Sequence, residues 1–158
     1  MKKGIFLAVA ALMLAFASLA FAQDSSIDSD IAVLRSDIRN QKTQIMTDQL
    51  QLNDTEAKSF WPIYRDYEND LSKLSDKKVA LIKEYADSYD KMDDKEVQSL
   101  AERWFKLQKD RIDLRRDYFK KISKAVSPKT AARFVQVEDR IDMLLNLQLA
   151  ANIPMLKK

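Results

Sequence analysis

The sequence predicts an all-α protein: four helices built around a long, elongated antiparallel hairpin. Three observations carry that expectation. First, the 158-residue chain has a single glycine, Gly4, against a usual share of about 7%. Sheets and barrels turn through positive φ, which glycine supplies most easily, so an all-β fold is close to excluded. Second, three short strings share one grammar: an apolar residue, a capping residue, then a partner three positions later. They are Leu52-Asn53-Asp54-Thr55-Glu56, Met92-Asp93-Asp94-Lys95-Glu96 and Val126-Ser127-Pro128-Lys129-Thr130. Third, the runs that follow carry apolar residues in steps of three and four, a heptad seam of coiled-coil type.

The elements follow in order. Residues 1–22 read as a signal peptide: a Met1-Lys2-Lys3 start, an uncharged run from Ile5 to Ala22, and the small-x-small ending Ala20-Phe21-Ala22, which favours cleavage over the alternative of an uncleaved membrane anchor. Cleavage after Ala22 leaves residues 23–158 as one helical domain, exported and most simply periplasmic. The absence of cysteine rules out lipidation near that site. A first helix, about 26–49, has Ile27, Ile31, Leu34, Ile38 and Ile45 in helical spacing. A second, about 54–90, starts at the Asn53 cap, with Glu56 closing a capping box. Its seam runs through Phe60, Tyr64, Tyr67, Leu71 and Leu74, breaks at Lys78, and resumes at Leu81 and Tyr85. Pro62 lies inside it and is expected to kink it or split off its first two turns. A third helix, about 94–125, has its box at Asp93 and Glu96 and a seam of Val97, Leu100, Trp104, Leu107, Arg111, Leu114, Tyr118 and Ile122. A fourth, about 128–150, is capped by Ser127, with Pro128 at the first helical position, where its missing N–H is harmless.

A turn at Lys91–Asp93 places Lys78 opposite Trp104 and Arg111 opposite Leu71. The Lys78 ammonium either sits over the indole ring, worth about 0.5–2 kcal/mol, or snorkels past the seam to water. Phe60, Trp61, Tyr64 and Tyr67 span more than one helix face. They are either a hairpin core reinforced by the first or fourth helix, or an exposed aromatic patch. The apolar tail Ile153-Pro154-Met155-Leu156 packs on the hairpin or on a second subunit.

The composition excludes most chemistry. With no Cys and no His, there is no thiolate, and the commonest general base and metal ligand is missing. Ser and Thr hydroxyls have no imidazole to activate them, and the acids lie on charged helix surfaces without a pocket to tune them. We expect no enzyme, no cofactor and no metal. Asp87, Asp90, Asp93, Asp94 and Glu96 crowd the hairpin tip but lack the spacing and glycine of a calcium loop.

Charge changes sign along the chain. Residues 23–102 hold eleven basic and eighteen acidic side chains, whereas residues 103–133 hold eleven basic and three acidic. Either this basic stretch pairs with an acidic neighbouring helix, or it faces outward toward protein clients or a membrane surface. Aromatic and aliphatic residues interleave with it. The candidate binding set is therefore Trp104, Phe105, Arg111, Ile112, Arg115, Arg116, Phe119, Lys120 and Lys121. No nucleic-acid reader motif accompanies it, so nucleic acid is not an expected partner.

A small, exported, all-helical chain with such strings before its helices resembles the Spy/CpxP superfamily of periplasmic stress proteins, marked by an L-T-x-x-Q motif. Leu52-Asn53-Asp54-Thr55-Glu56 keeps the Leu, with Asn for the Thr and Glu for the Gln; Val126-Ser127-Pro128-Lys129-Thr130 is looser. The Phe60-Trp61-Pro62-Ile63-Tyr64 cluster is not a feature of the classical members. The resemblance implies a helical hairpin that dimerises into a curved cradle. It also implies ATP-independent chaperone binding of unfolded envelope proteins, or a regulatory adaptor that restrains one partner such as a stress sensor.

Overall fold

In the computed structural model, which describes residues 40–153, 155 and 156, helix follows helix, and there is no strand among the described residues. The elements are α1, described over residues 40–50, α2 (Asp54–Ser88), α3 (Asp94–Ala125) and α4 (Pro128–Asn152). Residues 42–158 make one unit. Of residues 1–41 only Asn40 and Gln41 are described, both exposed and helical. The expected signal peptide and most of the expected first helix therefore lie outside the described residues. The other boundaries fall within a turn of expectation.

The caps form as the strings require. Asn53 Oδ1 accepts the N–H groups of Thr55 and Glu56, both at 3.0 Å, and Glu56 Oε2 takes the Asn53 N–H. Asp93 and Glu96 close the same reciprocal box at 2.8 and 2.9 Å. At α4, Ser127 Oγ accepts the Thr130 N–H at 3.0 Å, and the two hydroxyls share a hydrogen bond. These bonds satisfy amides that a helix start leaves without partners. With no glycine available, α1 ends through Gln51 at φ 50°, whose N–H returns to the Thr47 carbonyl. Left-handed backbone costs a non-glycine residue about 1–2 kcal/mol.

Pro62 does not split α2, which runs unbroken for 35 residues. The proline ring is exposed, as is Lys58, whose carbonyl has lost its helical N–H partner to the proline. Water can solvate that carbonyl, while Phe60 and Tyr64 anchor the helix on either side.

The hairpin of α2 and α3 is antiparallel. Its register is marked by Glu84–Arg103, by Lys78 5.8 Å from the Trp104 ring centroid, and by Tyr118 Oη donating to Asp70 at 2.8 Å. Lys78 does not snorkel: it is buried over the indole and donates to Asn146 of α4. Its burial, with the Arg111 guanidinium nearby, lowers its pKa. A hairpin alone buries one face of each helix, and the aromatics of α2 need more cover than that. The fourth helix provides it. Phe134 meets the rings of Phe60, Tyr64 and Tyr67 edge-on at 6.3, 6.2 and 5.0 Å. Met46 and Leu50 of α1 complete the core with Ile122, Ala131 and Val137. The aromatic cluster is thus core, reinforced by both flanking helices; Trp61 is half-buried at its edge.

Inside that core lies a charged knot. Glu138 of α4 is 3% exposed and accepts from Lys42 Nζ at 3.1 Å and Tyr67 Oη at 3.0 Å, with Tyr64 Oη at 3.5 Å. Lys42 also pairs with Glu68 at 2.7 Å. Burial pushes the Glu138 carboxyl above the ordinary glutamate range, against the pull of Lys42. Removing one partner of a buried pair strands the other charge and typically costs about 3–5 kcal/mol. Lys42→Met should lower unfolding free energy by that order, read by denaturant titration. A change under about 1 kcal/mol would show that solvent reaches the knot.

The same knot sets an alkaline limit. Burial raises the pKa of Tyr64 and Tyr67, and Glu138 raises both further. Burial opposes the Lys42 charge, yet Glu138 and Glu68 outweigh it and raise that pKa too. All three groups keep their protons to higher pH folded than unfolded. Their contribution is whole below the ordinary tyrosine pKa of 10.0 and is lost as pH rises beyond it. The Tm should therefore fall as pH climbs above that value, and Tyr67→Phe should flatten the fall. An unchanged slope in the variant would remove Tyr67 from the linkage.

Candidate functional site

The inward positions of α3 are Leu107, Leu114, Tyr118 and Ile122, spaced seven, four and four apart. That spacing leaves Phe105, Lys109, Ile112, Arg116 and Lys120 on the opposite face, and all five are exposed. Phe105 is 66% exposed and Ile112 57%, two large apolar side chains open to water two turns apart on that face. Basic residues surround them, each with an acid one turn away. Lys106 pairs with Asp110, Lys109 and Arg116 with Asp113, and Lys120 with Asp117. Such exposed pairs hold little energy and exchange readily with other partners. The result is a face with apolar anchors set among mobile charges.

The structure divides the predicted binding set. Phe105, Ile112, Arg116 and Lys120 come together on the outward face. Lys121 stands beside them with its ammonium 3.9 Å from the Tyr118 ring centroid. Arg111, Arg115, Trp104 and Phe119 face the protein instead. Arg111 pairs with Asp142, and Arg115 with Asp139 and Asp142. Phe119 packs against the core. Arg103 forms a two-pronged pair with Glu84. The basic stretch is therefore divided between inward and outward positions. Its inner arginines do pair within the molecule, but chiefly with acids of α4 rather than with the more acidic α2, because α4 carries Asp139 and Asp142 on the side turned to α3.

Trp104 lines a second feature, an apolar groove of about 280 Å³ near the hairpin turn. Leu81 and Tyr85 of α2 and Val97 and Leu100 of α3 form its walls, with Ile153 and Leu156 of the C-terminal segment against them. Sequence reasoning missed this groove and also an exposed stripe on α4, Met143, Leu144 and Leu147. The run Met143-Leu144-Leu145 was the available signal, since one buried stripe cannot absorb three consecutive apolar residues. The acids Asp87, Asp90, Asp93, Asp94 and Glu96 are all exposed at the tip. Among the described residues no three acidic side chains converge as a metal site, and no helix is long and apolar enough to cross a membrane.

The division of α3 has a measurable consequence. Arg116, Lys120 and Lys121 changed together to Gln should leave stability within about 0.5 kcal/mol. Arg115→Gln alone should lose about 1–3 kcal/mol, because Asp139 loses its half-buried partner and Asp142 is left with Arg111 alone. Thermal melts followed by circular dichroism separate the two, and equal losses would contradict the division.

No protein-family model, curated protein or solved structure matches this chain.

Proposed function

We propose that this protein binds unfolded or stressed proteins of the cell envelope without ATP, as a chaperone-like holdase working outside the cytoplasm. The observation that carries the reading is the outward face of α3. Phe105 and Ile112 stand exposed there among Lys106, Lys109, Arg116 and Lys120. Capture proceeds in two stages. The basic face attracts acidic, unfolded segments over about a Debye length, roughly 8 Å at physiological salt. Apolar residues of the client then meet Phe105 and Ile112. The ion pairs within α3 rearrange as the client's carboxylates replace Asp110 and Asp113, so the face fits many sequences loosely. The leader-like Met1–Ala22 segment and the resemblance to the Spy/CpxP superfamily support export and this class of activity. That resemblance also supports a dimer as the working form.

A second reading is a regulatory adaptor for one envelope partner such as a sensor domain. The exposed α4 stripe Met143, Leu144 and Leu147 favours it, because one apolar strip on one helix suits a fixed interface.

Light scattering of several unrelated unfolding proteins decides between the two. The holdase reading expects aggregation of all of them to be suppressed without nucleotide. It also expects suppression to weaken with salt and in the Phe105→Ser/Ile112→Ser variant. No suppression of any client, with one partner retained at fixed stoichiometry, would establish the adaptor instead.

A further inference from the structure

We propose that the groove at the hairpin end binds an extended peptide segment bearing two aliphatic side chains three residues apart, followed by basic residues, and that the chain's own C-terminal segment holds it in cis. The walls are aliphatic and aromatic, with Leu81 and Tyr85 facing Val97, Leu100 and Trp104. No charged side chain lines them. Helix α4 stops at Asn152, and the chain then brings Ile153 and Leu156 against these walls while Met155 points to water, 87% exposed. Contacts three positions apart match a segment with three residues per turn, as in extended polyproline II chain, and not the two-residue alternation of a β-strand. The seat is shallow, since Leu156 remains 44% exposed. The groove keeps about 280 Å³ of open space, near the roughly 300 Å³ at which ligand sites begin.

Charge gives the groove a preferred direction of occupant. Around the groove residues Tyr85, Met92 and Val97, residues 83–103 expose seven acids, Asp87, Asp90 and Asp94 among them, against four bases, Lys83, Lys91, Lys95 and Arg103. In sequence, Leu156 is followed by Lys157 and Lys158. An aliphatic segment with a basic continuation therefore suits both the floor and the rim, and the C-terminal segment has that composition. The groove adjoins the outward face of α3, sharing Phe105 with it but not Ile112, and prefers the opposite sign of charge. Its occupancy can be tested without any unfolded client.

A tethered segment acts at an effective concentration on the order of 1 mM. A groove that holds the same segment free at about 0.1 mM is then protected about tenfold in cis. The probe is a fluorescein-labelled peptide, Ala-Ala-Asn-Ile-Pro-Met-Leu-Lys-Lys, titrated by anisotropy into the whole protein and into its Ile153→Asp/Leu156→Asp variant. We expect the variant to bind about tenfold tighter than the parent. We also expect a peptide with Asp at both aliphatic positions not to bind, and Ala101→Trp, which fills the groove, to abolish binding in the released background. If the Asp pair loses helicity by circular dichroism, Ile153→Ala/Leu156→Ala makes the same comparison. Equal affinity in parent and variant would overturn the cis occupancy, and no binding by either would overturn the groove itself. Dimerisation of the variant that excludes the peptide would assign the groove to a second copy and overturn the proposal. Loss of aggregation suppression with peptide binding intact would count against the holdase reading alone.

Discussion

A single buried carboxylate, Glu138, sets the terms on which the helices meet. It takes Lys42 from α1 and the hydroxyls of Tyr64 and Tyr67 from α2, while its own helix supplies Phe134 to the same rings. Nonpolar packing would accept several rotations of four amphipathic helices about their axes. A buried charge accepts far fewer, because any rotation that breaks its hydrogen bonds leaves it stranded in a low dielectric. The knot thereby fixes α1 and α4 against α2. The hairpin then orients α3, whose inner arginines find Asp139, next to Glu138, and Asp142, one turn beyond it. The outward face that remains on α3 is what these constraints leave over.

Local features were legible in the sequence, and long-range pairings were not. Asn53, Asp93 and Ser127 announce helix starts because each bonds to amides two or three residues away. The helix periods and the turn near Lys91 follow from patterns of the same short range, and the hairpin register that places Lys78 at Trp104 follows from the turn. The Lys42–Glu138 contact joins residues 96 apart, and nothing in either local string distinguishes it from the other acids and lysines. The expected split at Pro62 failed for a related reason: propensity treats the residue alone, whereas Phe60 and Tyr64 are anchored in the core on either side of it. On α3, spacing alone could name the basic residues but not divide them. Arg111 and Arg115 turn inward because α4 offers acids there, and that offer appears only once α4 is docked.

Two surfaces of opposite character result. The face of α3 is basic with exposed apolar anchors. The hairpin end is acidic at its rim and wholly apolar in its groove. Lys78 lies between the core and that groove, held over Trp104 and bonded to Asn146. It keeps a cation at a level where a continuous seam would place an aliphatic residue.

That placement divides the hairpin by local stability. On one side of Lys78, four helices contribute rings and aliphatics to a closed core. On the other, two helices and a short tail surround open space. Protection of backbone amides against hydrogen exchange follows local packing and burial, so opening events divide at such a boundary. On that ground amides of α2 near Tyr64 should exchange only when the whole molecule unfolds, and those near Tyr85 and Val97 through a smaller fluctuation that leaves the rest folded. The hairpin end would then open as a unit of its own, at a free energy lower than that of the core by the packing lost beyond Lys78.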